Sequence, residues 1–229
     1  MDRNVIIHRV LSCEEVSISE IAGLLSGNGA VIYIVNTGNE EFQIKSLEYL
    51  TDIQKQKMYS YIKENDKRNY FIAHSIINYI FSTILKCEVK SLQHKTGKYK
   101  KPYIVNNCGY YYNISHSGNY SVVAMHKGEI GTDIECVNRN FEFGGIMRGQ
   151  FCEADIKYVG EDLKKFFKLW VAKEAYFKYI GTGLYRQLKS ISFANEADGY
   201  ILIYDKESKK EQPVFLMEED EYLLGVCVD

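Results

Sequence analysis

The sequence predicts an α+β fold in which helices and strands come in groups rather than in regular alternation. Isoleucine and leucine recur at helical spacing from Thr51 to Lys86, and a second helical stretch runs from Glu161 to Ile180. Short β-branched and aromatic runs fill the middle and the tail, several strands in succession. A doubly wound sheet would need strand and helix to alternate one for one, and this order does not. Each long helix has its own strands, so the 229 residues read as two helix-plus-strand halves.

Taken in order, Asn4–Val10 and Ala30–Val35 read as strands. Between them Ser17-Ile18-Ser19-Glu20 has the form of a capping box opening a short helix through Leu25, stopped by Gly27 and Gly29. Within Thr51–Lys86, Ile72, Ile76, Ile77, Ile80, Ile84 and Leu85 form one apolar stripe. The polar interruption at Lys63–Arg68 is expected to separate two helices. Strands are expected at Lys101–Val105, Tyr110–Ile114, Ser121–His126 and Ile130–Cys136, set apart by Gly and Asn turns. Gly181 and Gly183 end the second helical stretch, and Tyr200–Tyr204, Val214–Met217 and Tyr222–Val228 read as further strands.

Hydrophobic residues make up 46% of the chain and charged residues 25%, a balance that suits a folded protein and excludes disorder. A net charge of −2 leaves no global basic field for a long nucleic acid. None of the six cysteines lies in a C-x-x-C spacing, so zinc-ribbon and thioredoxin-like readings lose their support. The N-terminus has no signal-peptide pattern, and apolar runs such as Ala30–Val35 are too short for a bilayer. A reduced, cytoplasmic protein without membrane or nucleic-acid partners is expected.

Four features carry possible chemistry. In Gly131-Thr132-Asp133-Ile134-Glu135, strand alternation puts both carboxylates on one face, where they repel unless a cation such as Mg²⁺ sits between them. A solvated strand face is the plainer alternative. In Trp170-Val171-Ala172-Lys173-Glu174-Ala175-Tyr176-Phe177-Lys178, Glu174 and Lys178 are helical neighbours, able to hold a metal and meet a phosphate, or simply to pair. Phe166, Phe167, Trp170 and Phe177 imply that much of this helix is buried, which makes the charges costlier. Asn113-Ile114-Ser115-His116-Ser117-Gly118 reads as a strand ending in a polar turn, either a phosphate cradle or a hydrogen-bonded turn. Lysines 95, 98, 100 and 101 around a Gly turn, and Lys67-Arg68 at the start of the apolar helix, suggest either a small polyanion or simply a solvated face. Gly97-Lys98 lacks the Walker A spacing.

Asp133 follows His116 by 17 residues, and Glu174 follows Asp133 by 41. The succession of basic helix start, Lys101-Pro102, Ser-His-Ser-Gly, Gly-x-Asp-Ile-Glu and Trp-x-x-Lys-Glu-Ala-x-x-Lys with a following Gly-x-Gly-Leu resembles the Sfp-type 4′-phosphopantetheinyl transferase family from Ala30 to the C-terminus. That resemblance implies two similar α/β halves forming a pseudo-dimer in one monomeric chain, with the coenzyme A site between them. It implies a domain plan of 1–29 as an extension, 30–128 as the half that contacts the nucleotide and 129–229 as the half that carries metal and catalysis. It implies transfer of 4′-phosphopantetheine from coenzyme A to a serine of an acyl or peptidyl carrier protein, in fatty-acid, polyketide or nonribosomal-peptide synthesis, releasing adenosine 3′,5′-bisphosphate.

By the matching motifs, Asp133, Glu135 and Glu174 would be Mg²⁺ ligands, and Glu174, Lys178 and Asp133 the catalytic set, with Glu174 taking the serine proton and Lys178 meeting the pyrophosphate. Arg68, Lys101, Pro102, Ser115 and His116, with Lys178, would bind coenzyme A. Lys100-Lys101-Pro102 stands where the family has Gly-Lys-Pro, so Lys98 and Lys101 both remain candidates near the nucleotide. Carrier contacts are expected after Gly181, at Leu184, Tyr185, Arg186 and Lys189. The same residues would also suit a Mg²⁺-dependent hydrolase of the coenzyme A pyrophosphate, or a binding module without chemistry.

Overall fold

The computed structural model describes residues 5–9, 15–17, 19, 23, 29–38, 47–105, 109–138 and 140–229. The short helix expected from Ser17 to Leu25 falls largely outside the described residues. The chain divides into two compact units, Met1–Glu129 and Ile130–Asp229. Both combine a sheet with a long helix, so the α+β fold class holds.

The first unit contains strands β1 (Val5–Arg9), β2 (Ala30–Asn36), β5 (Tyr111–Ser117) and β6 (Tyr120–His126), ordered β1-β2-β6-β5. The β1–β2 pair is parallel, and the β2–β6 and β5–β6 pairs are antiparallel. A hairpin of β3 (His94–Thr96) and β4 (Pro102–Ile104) stands apart as its own sheet. Helices α1 (Asp52–Tyr59) and α2 (Glu64–Ile84) precede it. The expected stripe does form the core: Ile72, Ile76, Ile77 and Ile80 pack with Val31, Tyr33, Val123 and Met125 of the sheet. The helix break is placed differently from the expectation. Residues 63–68 do not interrupt; α2 begins at Glu64, because Glu64 and Asp66 in its first turn complement the positive end of the helix.

Gln54 of α1 closes a capping box with Thr51, and its amide group also ties the helices together. Its Oε1 accepts from Asn78 Nδ2 at 2.7 Å, and its Nε2 donates to His74 Nδ1 at 3.2 Å and His94 Nε2 at 3.4 Å. Both imidazoles are therefore held neutral, and burial, with His94 nearby, pushes His74 down to about 3. The unfolded chain binds a proton at His74 below its ordinary value near 6.5, whereas the folded chain resists it until about 3. The stability from this site is complete above about pH 6.5 and is lost as pH falls towards 3. Denaturant titrations should give a slope of about 1.4 kcal/mol per pH unit for this group, and His74→Gln should flatten it.

The second unit has β7 (Ile130–Cys136), β8 (Ile191–Ala197), β9 (Tyr200–Asp205), β10 (Lys210–Glu219) and β11 (Tyr222–Val228), in the order β7-β11-β10-β9-β8. Every pair is antiparallel. Two short helices, α3 (Gly144–Gln150) and α4 (Glu153–Val159), precede the long α5 (Leu163–Tyr179). Phe166, Leu169, Val171, Ala172 and Phe177 of α5 form the core with Ile201, Ile203, Val214 and Leu223. Asp162 caps the helix start by accepting from the Lys165 amide. The end is a Schellman motif: Gly181 takes φ +72°, the Thr182 amide bonds the Phe177 carbonyl and the Gly181 amide the Lys178 carbonyl. Among the described residues, no helix is long and apolar enough to cross a membrane.

Candidate active site

The site in the second unit begins with a close approach. On β7, Gly131, Asp133 and Glu135 alternate onto one face, while Ile130, Thr132 and the fully buried Ile134 take the other. Helix α5 lies directly on the Gly131 face. A Cβ added at Gly131 would stand 2.1 Å from the Ala175 carbonyl oxygen and 2.2 Å from the Tyr179 amide nitrogen, both backbone. Only glycine lets the helix lie this close. The turn of α5 beyond Ala175 is thereby carried to the two strand carboxylates.

The result is a cluster of charged side chains where α5 meets β7. Lys178 Nζ donates to Asp133 Oδ1 at 2.7 Å. Glu174, one turn earlier, is within electrostatic reach of Asp133, Glu135 and Lys178. Asp133 is 5% exposed and Glu174 9%, so both carboxylates sit where water screens them poorly. Burial first, then Asp133 and Glu135, push the Glu174 carboxyl up to about 7, against the pull of Lys178. Its buried Oε1 makes no hydrogen bond within the described residues.

Asp133 and Glu135 both disfavour a charge on Glu174, so the three carboxylates repel one another. A hard divalent cation would relieve that repulsion, and carboxylate oxygens are the donors it takes. Among the described residues no three His, Cys, Asp or Glu side chains yet stand in metal-holding geometry. Asp133 is ion-paired with Lys178 there. The donor chemistry and the buried Glu174 oxygen fit a divalent cation. Beside Glu135 opens a groove of about 210 Å³, walled by Phe141, Phe166, Phe167 and Trp170.

The remaining expected residues lie in the first unit. Arg68 is on the second turn of α2, and Lys101 and Pro102 are at the start of β4. Lys101 is ion-paired with Glu129. Lys98 lies over the Tyr99 ring, 5.1 Å from its centroid. Ser115 and His116 are inside β5, paired with Val122 and Ser121, so their backbone belongs to the ladder. The expected turn comes later, at Gly118-Asn119. Alternation puts Ser115, which is buried, on the face opposite the exposed His116.

Two asparagines that the sequence reading missed hold this region together. Asn65 and Asn69 of α2 each donate from Nδ2 to the Gly118 carbonyl at 3.0 Å. Asn69 Oδ1 in turn accepts from Thr37 and Ser121 hydroxyls. The clamp fixes the Arg68-bearing turn of α2 against the end of β5 that carries His116. Its only sequence signal was two polar residues spaced i, i+4 beside a helix start.

Of the expected carrier contacts, the Leu184 side chain lies outside the described residues. Tyr185 is 66% exposed and Lys189 is exposed. Arg186 holds Asp205 with both terminal nitrogens and reaches Glu207, and Tyr176 OH donates to the same Asp205 at 2.6 Å.

Comparison with known proteins gives a consistent result across both units. Residues 37–128 match the model described as 4′-phosphopantetheinyl transferase, N-terminal, and residues 129–227 that of the 4′-phosphopantetheinyl transferase superfamily. The chain is similar to the 4′-phosphopantetheinyl transferase Sfp of Bacillus subtilis, 23% identical over 200 residues, covering 86% of this chain and 89% of the relative. The 4′-phosphopantetheinyl transferase gsp of Aneurinibacillus migulanus is 25% identical over 170 residues, covering 73% and 70%. The L-aminoadipate-semialdehyde dehydrogenase-phosphopantetheinyl transferase of Xenopus laevis is 31% identical over 147 residues, covering 57% of this chain and 47% of its own length.

Proposed function

The chain belongs to the 4′-phosphopantetheinyl transferase superfamily, and from that premise we propose that it transfers the 4′-phosphopantetheine arm of coenzyme A to a serine of an apo carrier protein. The observation that supports this most is the convergence of Asp133, Glu135, Glu174 and Lys178 where α5 lies on β7. Near-neutral charge with local acidic and basic clusters suits a small phosphorylated substrate.

Asp133, Glu135 and Glu174 would hold Mg²⁺, which when bound offsets the charge that develops on the pyrophosphate. Glu174 takes the proton from the carrier serine as its oxygen attacks phosphorus. One P–O bond forms at the serine, and the P–O bond to adenosine 3′,5′-bisphosphate breaks. Lys178 stabilises the negative charge on the transferring and leaving oxygens. No enzyme nucleophile is needed, so the cysteines carry no step. Arg68 and His116 would bind the 3′-phosphate, with Lys101, Pro102 and Ser115 along the nucleotide. The groove beside Glu135 offers an apolar wall to the pantetheine arm. Tyr185 and Lys189 are the carrier contacts we favour, since Arg186 is committed to Asp205. The reaction belongs to the cytoplasm, with the chain acting as a monomer.

Incubation with coenzyme A and Mg²⁺, with and without an apo carrier, tests the reading. Adenosine 3′,5′-bisphosphate should appear only with the carrier present. Release at the same rate without it would make the chain a hydrolase.

A further inference from the structure

Gly225 on β11 lies outside every motif the sequence offered, yet it is the register partner of Asp133. Its carbonyl accepts from the Thr132 hydroxyl at 3.0 Å, which ties the two strands beside the acids. Its missing side chain matters more. A Cβ there would stand 2.7 Å from Val171 Cγ1, 3.1 Å from the Val171 carbonyl oxygen and 3.4 Å from Ala175 Cβ. Carbon atoms in ordinary contact are about 3.5–4.0 Å apart. Val171 is fully buried, and a β-branched residue in a helix has essentially one rotamer, so it does not swing aside. The helix itself would have to retreat by roughly 1 Å.

That retreat would strike the turn that matters. Val171 and Ala175 share a face of α5 with Lys178, and Glu174 adjoins them. Gly131 already places the helix on β7 through backbone contacts alone. We propose that Gly225 is a positioning residue for the acid–lysine cluster. It sets the depth of α5 over β11, so that Lys178 reaches Asp133 and Glu174 comes within reach of both strand acids. The kinetic part of this inference rests on the transferase reading; the geometric part does not.

Gly225→Ala, Val171→Ala and the double variant test it together. The readouts are kcat for transfer, KM for coenzyme A, binding of Mn²⁺ alone measured by its EPR signal, and the crystallographic distance from Lys178 Nζ to Asp133. Gly225→Ala should lower kcat by about 10–100-fold, as expected for a displacement near 1 Å. KM should change little, Mn²⁺ binding should weaken and the ion pair should open. Val171→Ala alone should keep the wild-type kcat. The double variant, with Cγ1 gone, should regain most of the kcat and Mn²⁺ binding, although two core changes melt it earlier than either single one. Simple destabilisation predicts the reverse, a double variant worse than Gly225→Ala on every readout, and that would overturn the proposal. So would a folded Gly225→Ala with unchanged Mn²⁺ binding and an intact ion pair. Should Gly225→Ala not fold, the double variant decides alone: wild-type Mn²⁺ binding upholds the proposal and its loss refutes it. If the wild type transfers nothing, the transferase reading fails, while Mn²⁺ binding and the ion-pair distance still judge the role of Gly225.

Discussion

Replacing Glu174 by glutamine is expected to lower turnover in phosphopantetheine transfer by about 10²–10⁴-fold, the range for a positioned general base. The shape of the side chain is kept, and α5 needs no repacking. Stability should hold or rise slightly at neutral pH. Burial and the two strand acids raise the Glu174 carboxyl to about 7, above its unfolded value of 4.5. The folded chain therefore favours the neutral form, and its stability falls as pH rises from about 4.5 through 7. An amide resembles that neutral form and removes the dependence. Steady-state kinetics and denaturant titration of the same preparation separate the two effects. Full activity in Glu174→Gln would exclude Glu174 as the proton acceptor.

The largest effect on stability is expected at Lys173, the neighbour of Glu174, turned about 100° away around the helix. Its side chain and that of Asp155 are fully buried and paired. Lys173 also donates to the Leu188 carbonyl at 3.1 Å and the Ile191 carbonyl at 2.9 Å, and lies over the Phe151 ring. Asp155 accepts from the Phe193 amide at 2.7 Å and the Cys152 amide at 3.1 Å. This one network joins α4, α5 and the start of β8. Burial pulls the Lys173 ammonium below the ordinary lysine range, and Asp155 opposes the pull. Lys173→Met leaves a buried carboxylate without its counter-charge and should cost about 3–5 kcal/mol. Adding Asp155→Leu should recover only part of it, because the Phe193 and Cys152 amides lose their acceptor. A loss below about 1 kcal/mol in urea unfolding would contradict this account of the network.

Periodicity made most of the fold legible. Ile130–Cys136 and Tyr222–Val228 were readable to the residue: Tyr222–Val228 is a nearly continuous apolar run, and Ile130–Cys136 sets Ile130, Thr132 and Ile134 in alternation with Gly131, Asp133 and Glu135. Strand β8 was not. Only its first two residues are buried, and a register shift between Phe193 and Asn195 breaks the alternation a strand is read from. Helix α3, with three glycines in seven residues, contradicts its own propensity and is held by tertiary packing of Met147. In the site, residue type and spacing singled out Asp133, Glu135, Glu174 and Lys178, and the structure brings them together. Asn69, Lys173 and Gly225 were not. Their roles depend on what the fold sets opposite them: a turn carbonyl, a buried aspartate, the Val171 side chain. The pinning of Arg186 by Asp205 was hidden for the same reason, across 19 positions of sequence.

Intact-mass spectrometry of an apo carrier protein, incubated with the chain, coenzyme A and Mg²⁺, reads the transfer directly. The wild type should add the mass of one phosphopantetheine to the acceptor serine, and a chain carrying Asp133→Ala with Glu174→Ala should add none in the same time. No added mass on fatty-acid, polyketide or nonribosomal-peptide carriers, or equal addition by the doubly substituted chain, would contradict the assignment of this site.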